Sequence, residues 1–144
     1  MSDVNKANIK STLEHFIKEV WTDGNIAACD GFVADSYRIR HDPGDPWHQR
    51  TLSRSEFKER VRLSRAPFPD QRFELQELFA EDSAVAATWL WTGTHQGDIP
   101  GFPASGRQIR MSGATVYYFD DDRITGHWQI TDRLGVFQQL RSAP

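Results

Sequence analysis

The sequence predicts a single α+β domain spanning residues 1–144. In this cone-shaped fold, a strongly curved antiparallel or mixed sheet is covered on its concave side by about three N-terminal helices. Two observations lead to this prediction. Apolar residues recur at helical spacing near the N-terminus, and after Pro69 segments with strand character are separated by acidic turns. The chain has 144 residues, which is an ordinary size for one domain.

Three helices are predicted before Pro69. Spacings of three and four between apolar residues predict a helix over 5–21, and the alanine-bearing segment 26–33 predicts a second, shorter one. The sequence Ser-Arg-Ser-Glu at 53–56 is typical of a capping box, so a third helix is expected over 54–65. Between the second and third helices, the alternation at 37–41 predicts a short strand.

Four strands are predicted in the second half of the chain, over 72–79, 84–95, 108–119 and 124–132. Successive strands joined by short turns favour antiparallel pairing. The strand 84–95 carries apolar residues on both faces, but the helices can cover only one of them. We therefore expect a second copy of the chain to cover the other face in a homodimer.

Composition excludes several classes of function. The formal charge of −3 and the pI of about 5.9 provide no basic surface for nucleic acid. No apolar run approaches the roughly 18 residues of a membrane span, and the N-terminus does not resemble a signal peptide. The single cysteine, Cys29, excludes an intramolecular disulfide and is expected in the core, so a cytoplasmic location is expected. No spacing typical of metal ligands or nucleotide-binding glycines occurs, so neither metal nor cofactor is expected.

Asp132 is the first candidate for chemistry. It ends a predicted strand in which Trp128 and Ile130 have the same parity, so all three are expected to face one apolar side. A carboxyl group there loses hydration, which raises its pKa and suits it to proton transfer. Alternatively, Asp132 caps the helix that follows, since aspartate is a preferred N-cap. His127 has the opposite parity and is expected to face the other side, toward a dimer contact.

Two histidines and a set of aromatic residues complete the predicted site. His41 and His95 each end a predicted strand beside a loop, where an imidazole serves either as an acid or base or as a structural group. The loop over 96–107 has a length common among functional loops. The aromatic residues expected to contact an apolar ligand are Trp91, Trp128, Trp47, Phe102 and Tyr117.

Short motifs in the second half of the chain occur in a recognisable order. They are Ala80-Glu81-Asp82 with Val85, Gly93-Thr94-His95-Gln96-Gly97, Gly101 with Ser105-Gly106-Arg107, and Trp128 ahead of Asp132-Arg133-Leu134-Gly135 and Gln138-Gln139-Leu140. With these residues the chain resembles the SnoaL-like polyketide cyclase family, in the nuclear-transport-factor-2-like superfamily, over residues 68–140.

This resemblance implies a dimeric cone fold and cofactor-free acid/base chemistry on a small apolar or polyketide-like carbonyl compound. The family's aspartate matching Asp132 serves as the acid/base of an intramolecular aldol ring closure. A nearby histidine assists it, here His95 or His41. The reaction expected from the resemblance is therefore cyclisation or isomerisation.

One residue departs from the family pattern. Many relatives carry an acidic residue two positions before the tryptophan, where this chain has Gly126. Asp132 therefore lacks an acidic neighbour on its face. Two other functions stay open: a non-catalytic carrier of a flat apolar ligand, and an epoxide hydrolase in which Asp132 activates water. Such hydrolases pair two carboxylates around an arginine, so Gly126 argues against the second.

Overall fold

The order of helices and strands agrees with the predicted layout. A computed structural model describes residues 3–142. Its elements are α1 (Asp3–Phe16), α2 (Cys29–Phe32), β1 (Val33–His41), β2 (Thr51–Ser53), α3 (Arg54–Arg65), β3 (Arg72–Glu81), β4 (Ala84–Thr94), β5 (Gln108–Asp120), β6 (Arg123–Thr131) and α4 (Arg133–Arg141).

The predicted helices are confirmed, with changed boundaries. The first continues beyond α1 as a π-helical turn, Ile17–Thr22, and the second is a 3-10 turn followed by α2. The third, α3, begins at Arg54 as predicted, because Ser53 Oγ accepts from the Glu56 amide (3.1 Å) and Glu56 accepts from the Ser53 amide (2.9 Å). No helix between residues 3 and 142 is long and apolar enough to cross a membrane.

The strands form one curved, open sheet in the order β2-β1-β6-β5-β4-β3. Strands β3 to β6 form the predicted antiparallel meander. Strand β1 runs parallel to β6, so the sheet is mixed, and β2, which the sequence did not predict, is antiparallel to β1. The predicted α+β fold is confirmed.

The main core lies between the helices and the concave face of the sheet. Phe16 of α1 is fully buried at its centre, and its ring contacts those of Phe57 on α3 and Tyr117 on β5. Cys29 is buried there as predicted, and burial raises the pKa of its thiol to about 11. The other fully buried apolar side chains include Leu13, Val20, Val33, Ile39, Leu52, Val61, Val85 and Ile124.

A bulge in β6 changes which of its side chains face the helices. The pairing passes from Ile124 to Gly126 across two consecutive residues of β5, which leaves Thr125 without a partner. Because strand side chains alternate, one extra residue reverses their facing. Ile124 packs in the core, whereas beyond the bulge His127 is buried and Trp128 is exposed.

A second irregularity lies in β1, opposite the same part of β6. The pairing passes from Ile39 to His41 across two consecutive residues of β6, so Arg40 is the extra residue. Ile39 faces the core, but His41 turns to the outer face of the sheet. Asp42, which follows it, is completely buried. The two bulges together direct Asp42 and the odd-numbered residues of β6 beyond Thr125 toward the interior.

Substitution of Gly126 tests the close approach of β1 to β6. A Cβ at this position would lie 2.3 Å from the backbone oxygen of Arg38. Gly126→Ala should therefore lower the free energy of unfolding by about 1–3 kcal/mol. A Cβ at Gly31 in α2 meets nothing within 4 Å, so Gly31→Ala is the matched control. Equal stability of the two variants in chemical denaturation would contradict this account of the strand pairing.

Candidate active site

A cavity of about 840 Å³ lies inside the curve of the sheet, a volume within the range of small-molecule pockets. Residues of α3, of α4 and of the loop between β4 and β5 line its other sides. Its aromatic lining consists of Trp21, Tyr37, Trp47, Phe68, Phe73, Trp89, Trp91, Phe102, Tyr117 and Phe137. Its polar lining includes Asp45, Arg60, Ser64, Gln71, His127, Gln129, Thr131 and Arg133.

The aromatic wall is held by contacts between its own members. Phe73 and Trp89 make an edge-to-face contact with ring centroids 5.0 Å apart, and Phe68 and Trp91 make another at 4.9 Å. The Trp91 indole N–H also donates to Gln71 Oε1 (3.1 Å). The wall is thus pre-formed and presents flat apolar surfaces.

The predicted ligand-contacting residues fall into two groups. Trp91, Trp47, Phe102 and Tyr117 line the cavity, where they could contact a ligand. Trp128 does not, because the bulge at β6 turns it to the outer face, where it is 40% exposed. The predicted location of Trp128 is therefore wrong.

At the polar end of the cavity, three side chains form a buried hydrogen-bonded chain. Tyr37 Oη lies 2.5 Å from His127 Nδ1, and His127 Nε2 lies 2.9 Å from Asp42 Oδ2. None of the three is more than 2% exposed. Tyr37 and His127 line the cavity, and Asp42 lies behind the imidazole.

The direction of these hydrogen bonds follows from the charge of Asp42. Burial alone raises the pKa of its carboxyl group, but the hydrogen bond from His127 and the charges of Arg60 and Arg133 outweigh burial and hold the pKa below its usual value. An ionised carboxylate only accepts, so the proton of His127 lies on Nε2. The free electron pair on Nδ1 then accepts from the hydroxyl of Tyr37.

The imidazole of His127 is uncharged at neutral pH. Burial lowers the pKa of His127 below its usual value, although the hydrogen bond to Asp42 opposes the change. Burial also raises the pKa of the Tyr37 hydroxyl well above its usual value. At neutral pH the chain therefore consists of a neutral tyrosine, a neutral imidazole and a carboxylate.

Asp42 receives hydrogen bonds from several elements. Its Oδ2 accepts from Gln129 Nε2 (3.1 Å) and Arg60 Nη2 (3.3 Å), and its Oδ1 accepts from Arg133 Nη2 (3.4 Å). Arg60 Nη2 also lies 3.0 Å from Asp45 Oδ2. The carboxylate is thus stabilised by α3, β6 and α4 together, as a buried charge requires.

The structure places Asp132 outside the cavity, contrary to the prediction that its carboxyl enters an apolar pocket. Asp132 is exposed, and its Oδ1 accepts from the Gly135 amide (2.9 Å), so the alternative that it caps α4 is confirmed. The bulge at Thr125 explains the difference, because it turns Trp128, Ile130 and Asp132 to the outer side.

The two predicted histidines also lie outside the cavity lining. His41 stacks on Trp128 at the outer face, with ring centroids 4.5 Å apart. His95 is fully buried, and its Nδ1 lies 2.9 Å from Ser105 Oγ. Its backbone bonds with Arg107 and Gly106 (both 2.8 Å) close the base of the loop between β4 and β5, so His95 anchors this loop.

The residues that form the polar end were not identified from the sequence as a group. His127 was expected to face away from the site, and that expectation is wrong. The available signal was the alternation in β1, which places Tyr37 and Ile39 on the interior face.

Among residues 3–142, no three His, Cys, Asp or Glu side chains are grouped in a way that could hold a metal ion.

Comparisons with known proteins agree with this architecture. The family model of SnoaL-like polyketide cyclases matches residues 11–140. A crystal structure of a proposed polyketide cyclase from Acidithiobacillus ferrooxidans is 59% identical in sequence, over 100% of both chains, with a TM-score of 0.93. The comparison with functionally curated proteins found no match.

More distant solved structures share the fold. A SnoaL-like polyketide cyclase from Agrobacterium tumefaciens is 20% identical over 92% of this chain and 97% of that one, with a TM-score of 0.73. A proposed SnoaL-like polyketide cyclase from Jannaschia is 18% identical over 100% and 99%, with a TM-score of 0.84. By the family match and the full-length similarity at 59% identity, the chain belongs to the SnoaL-like polyketide cyclase family.

Proposed function

We propose that this protein catalyses the cofactor-free intramolecular aldol cyclisation, or isomerisation, of an apolar carbonyl compound of polyketide type. The observation that carries the proposal is the buried Tyr37–His127–Asp42 chain, which opens on a cavity with aromatic walls. Membership of the SnoaL-like polyketide cyclase family supports the class of reaction.

Tyr37 and His127 are the proposed catalytic residues. Since the hydroxyl proton of Tyr37 points at His127 Nδ1, its oxygen presents electron pairs to the ligand. In the first step this oxygen takes a proton from the carbon next to a carbonyl, while its own proton moves to Nδ1. Asp42 is a positioning residue that fixes the tautomer and stabilises the imidazolium, in the manner of the aspartate of a catalytic triad.

The second step returns the proton. The enolate carbon attacks a second carbonyl of the same molecule, the new alkoxide takes the proton from Tyr37, and His127 gives its proton back to the tyrosine. In an isomerisation the proton returns to a different carbon instead. Arg60 and the Gln129 amide border the cavity, where positive charge and N–H groups favour the enolate oxygen.

A second candidate function is the hydrolysis of an epoxide. The observation that favours it is the position of Arg60, whose Nη2 lies within reach of both Asp42 (3.3 Å) and Asp45 (3.0 Å). Two carboxylates around one arginine are the arrangement expected of such a site. In this alternative a carboxylate of the pair would activate water, and Asp45 is the one that lines the cavity.

The catalytic assignment predicts a selective loss in His127→Gln. Without the imidazole, turnover should fall by about 10²–10⁴-fold, because the variant lacks the group that accepts the proton of Tyr37. The measurement is liquid chromatography coupled to mass spectrometry, which separates products of equal mass, on a panel of aromatic polyketide-type diketones and epoxides. The control is Asp132→Asn, which keeps a good N-cap residue and should retain full activity.

The results of this panel separate the functions. Ring-closed or isomerised products of unchanged mass favour the aldol chemistry, and a gain of one water from an epoxide favours hydrolysis. Full activity of His127→Gln, or loss of activity in a stably folded Asp132→Asn, would contradict the assignment. Ligand binding without any product would favour a carrier.

The pH dependence follows from the lowered pKa of His127. Only the neutral imidazole accepts a proton, so activity should persist as the pH falls below the usual histidine pKa of about 6.5 and be lost at the lower, folded-state value. This loss forms the acidic limb of the pH–activity profile. Asp42 raises the pKa of His127, so Asp42→Asn should move the acidic limb to still lower pH while reducing the maximal rate. A limb that stays in place would show that His127 is not the titrating group.

We also propose that the chain forms a homodimer through the outer face of the sheet. Leu90 (45% exposed), Trp128 and Ile130 (47% exposed) place apolar surface on this face, which no helix between residues 3 and 142 covers. Leu90→Lys should therefore yield monomers in light scattering after size exclusion. Val4→Lys, at an exposed position of α1, should leave the dimer intact. A monomeric wild type, or a dimeric Leu90→Lys, would overturn this interface.

A further inference from the structure

A second chain of buried and part-buried hydrogen bonds reaches Asp42 from β4 and β5 through Gln129 on β6. The Trp89 indole N–H donates to Thr115 Oγ1 (2.9 Å), and the Thr115 hydroxyl lies 2.6 Å from Gln129 Oε1. Gln129 Nε2 lies 3.1 Å from Asp42 Oδ2. Trp89 and Thr115 are 3% and 2% exposed, so water does not compete for the bond between them.

The ionised carboxylate of Asp42 sets the direction of the hydrogen bonds along this chain. An indole N–H can donate but not accept, so it occupies an electron pair of the Thr115 oxygen. The hydroxyl proton of Thr115 is then free to point at Gln129 Oε1. With its oxygen engaged there, the amide must present its NH2 group to Asp42, whose ionised carboxylate only accepts. The Asp42 end thus fixes the direction of the chain, and the indole N–H donor at the other end is compatible with it.

We propose that Trp89 and Thr115 are positioning residues, which hold the Gln129 amide in the orientation that donates to Asp42. This inference rests on the proposed function of the Asp42–His127 pair. If the amide turned over, its oxygen would face the carboxylate, and the repulsion would disturb the carboxylate that orients the imidazole. Trp89 thus belongs to the aromatic wall of the cavity and also supports the residues at its polar end.

Loss of the Thr115 hydroxyl has a defined consequence. Gln129 Oε1 would lose its donor, and the amide would be free to rotate away from Asp42. With one donor fewer, the Asp42 carboxylate interacts more strongly with the protonated His127 ring. The pKa of His127, and with it the acidic limb of the pH–activity profile, should therefore move to higher pH. The other titratable or charged groups around Asp42 and His127 are Tyr37 on β1, Asp45 and His48 in the following loop, Arg60 on α3, Tyr117 on β5 and Arg133 on α4.

The test compares three threonine variants. Thr115→Val removes the hydroxyl at similar volume, and Thr115→Ser keeps it. Thr88→Val is the matched control, because Thr88 Oγ1 on β4 is also buried but has no hydrogen-bond partner in the described structure. We expect Thr115→Val to lower kcat/KM about tenfold and to shift the acidic limb upward. Thr115→Ser and Thr88→Val should match the wild type.

A second measurement does not depend on turnover. In ¹⁵N-labelled protein, the side-chain amide signals of Gln129 should move and exchange faster with solvent in Thr115→Val alone. Unchanged amide signals together with an unchanged pH profile in this variant would overturn the inference. If the amide responds as expected but no variant or wild type converts any compound, the positioning role stands and the proposed function fails.

Discussion

The hydrogen bond from His127 to Asp42 depends on how β1 pairs with β6. The two strands run parallel, and each contains an extra residue near the point where these side chains meet, Arg40 in one and Thr125 in the other. Without either bulge, alternation would direct one partner to the outer face. The polar end of the cavity is therefore a product of strand register, and no local segment contains it: His127 and Asp42 are 85 positions apart.

Burial of this carboxylate determines what surrounds it. An isolated buried charge is costly, and here the cost is offset by the guanidinium groups of Arg60 and Arg133 and by the Gln129 amide. The same groups keep Asp42 ionised, which places the proton of His127 on Nε2 and leaves Nδ1 to the hydroxyl of Tyr37. The groups that offset the buried charge of Asp42 therefore also leave His127 able to accept a proton from Tyr37 beside the apolar cavity.

The fold was more predictable from the sequence than the site was. The capping box at Ser53 and the alternation in the strands are local signals, so α3 and the meander were predicted nearly to the residue. The bulge at Thr125 has no such signal, and one missed residue reversed the facing of His127, Trp128 and Asp132 together. The resemblance to the family correctly identified the fold, but it indicated Asp132 as the catalytic residue, and Asp132 caps α4. The alternation of residues along β1 was enough to place Tyr37 on the interior face.

The most direct test of this account is the protonation state of His127, measured by ¹⁵N NMR of the imidazole nitrogens during a pH titration. The account predicts a neutral ring with its proton on Nε2 at neutral pH. The ring should take up a second proton only below the usual histidine pKa of about 6.5. A proton on Nδ1 of the neutral ring, or titration at the usual value, would contradict the proposed chain from Tyr37 to Asp42.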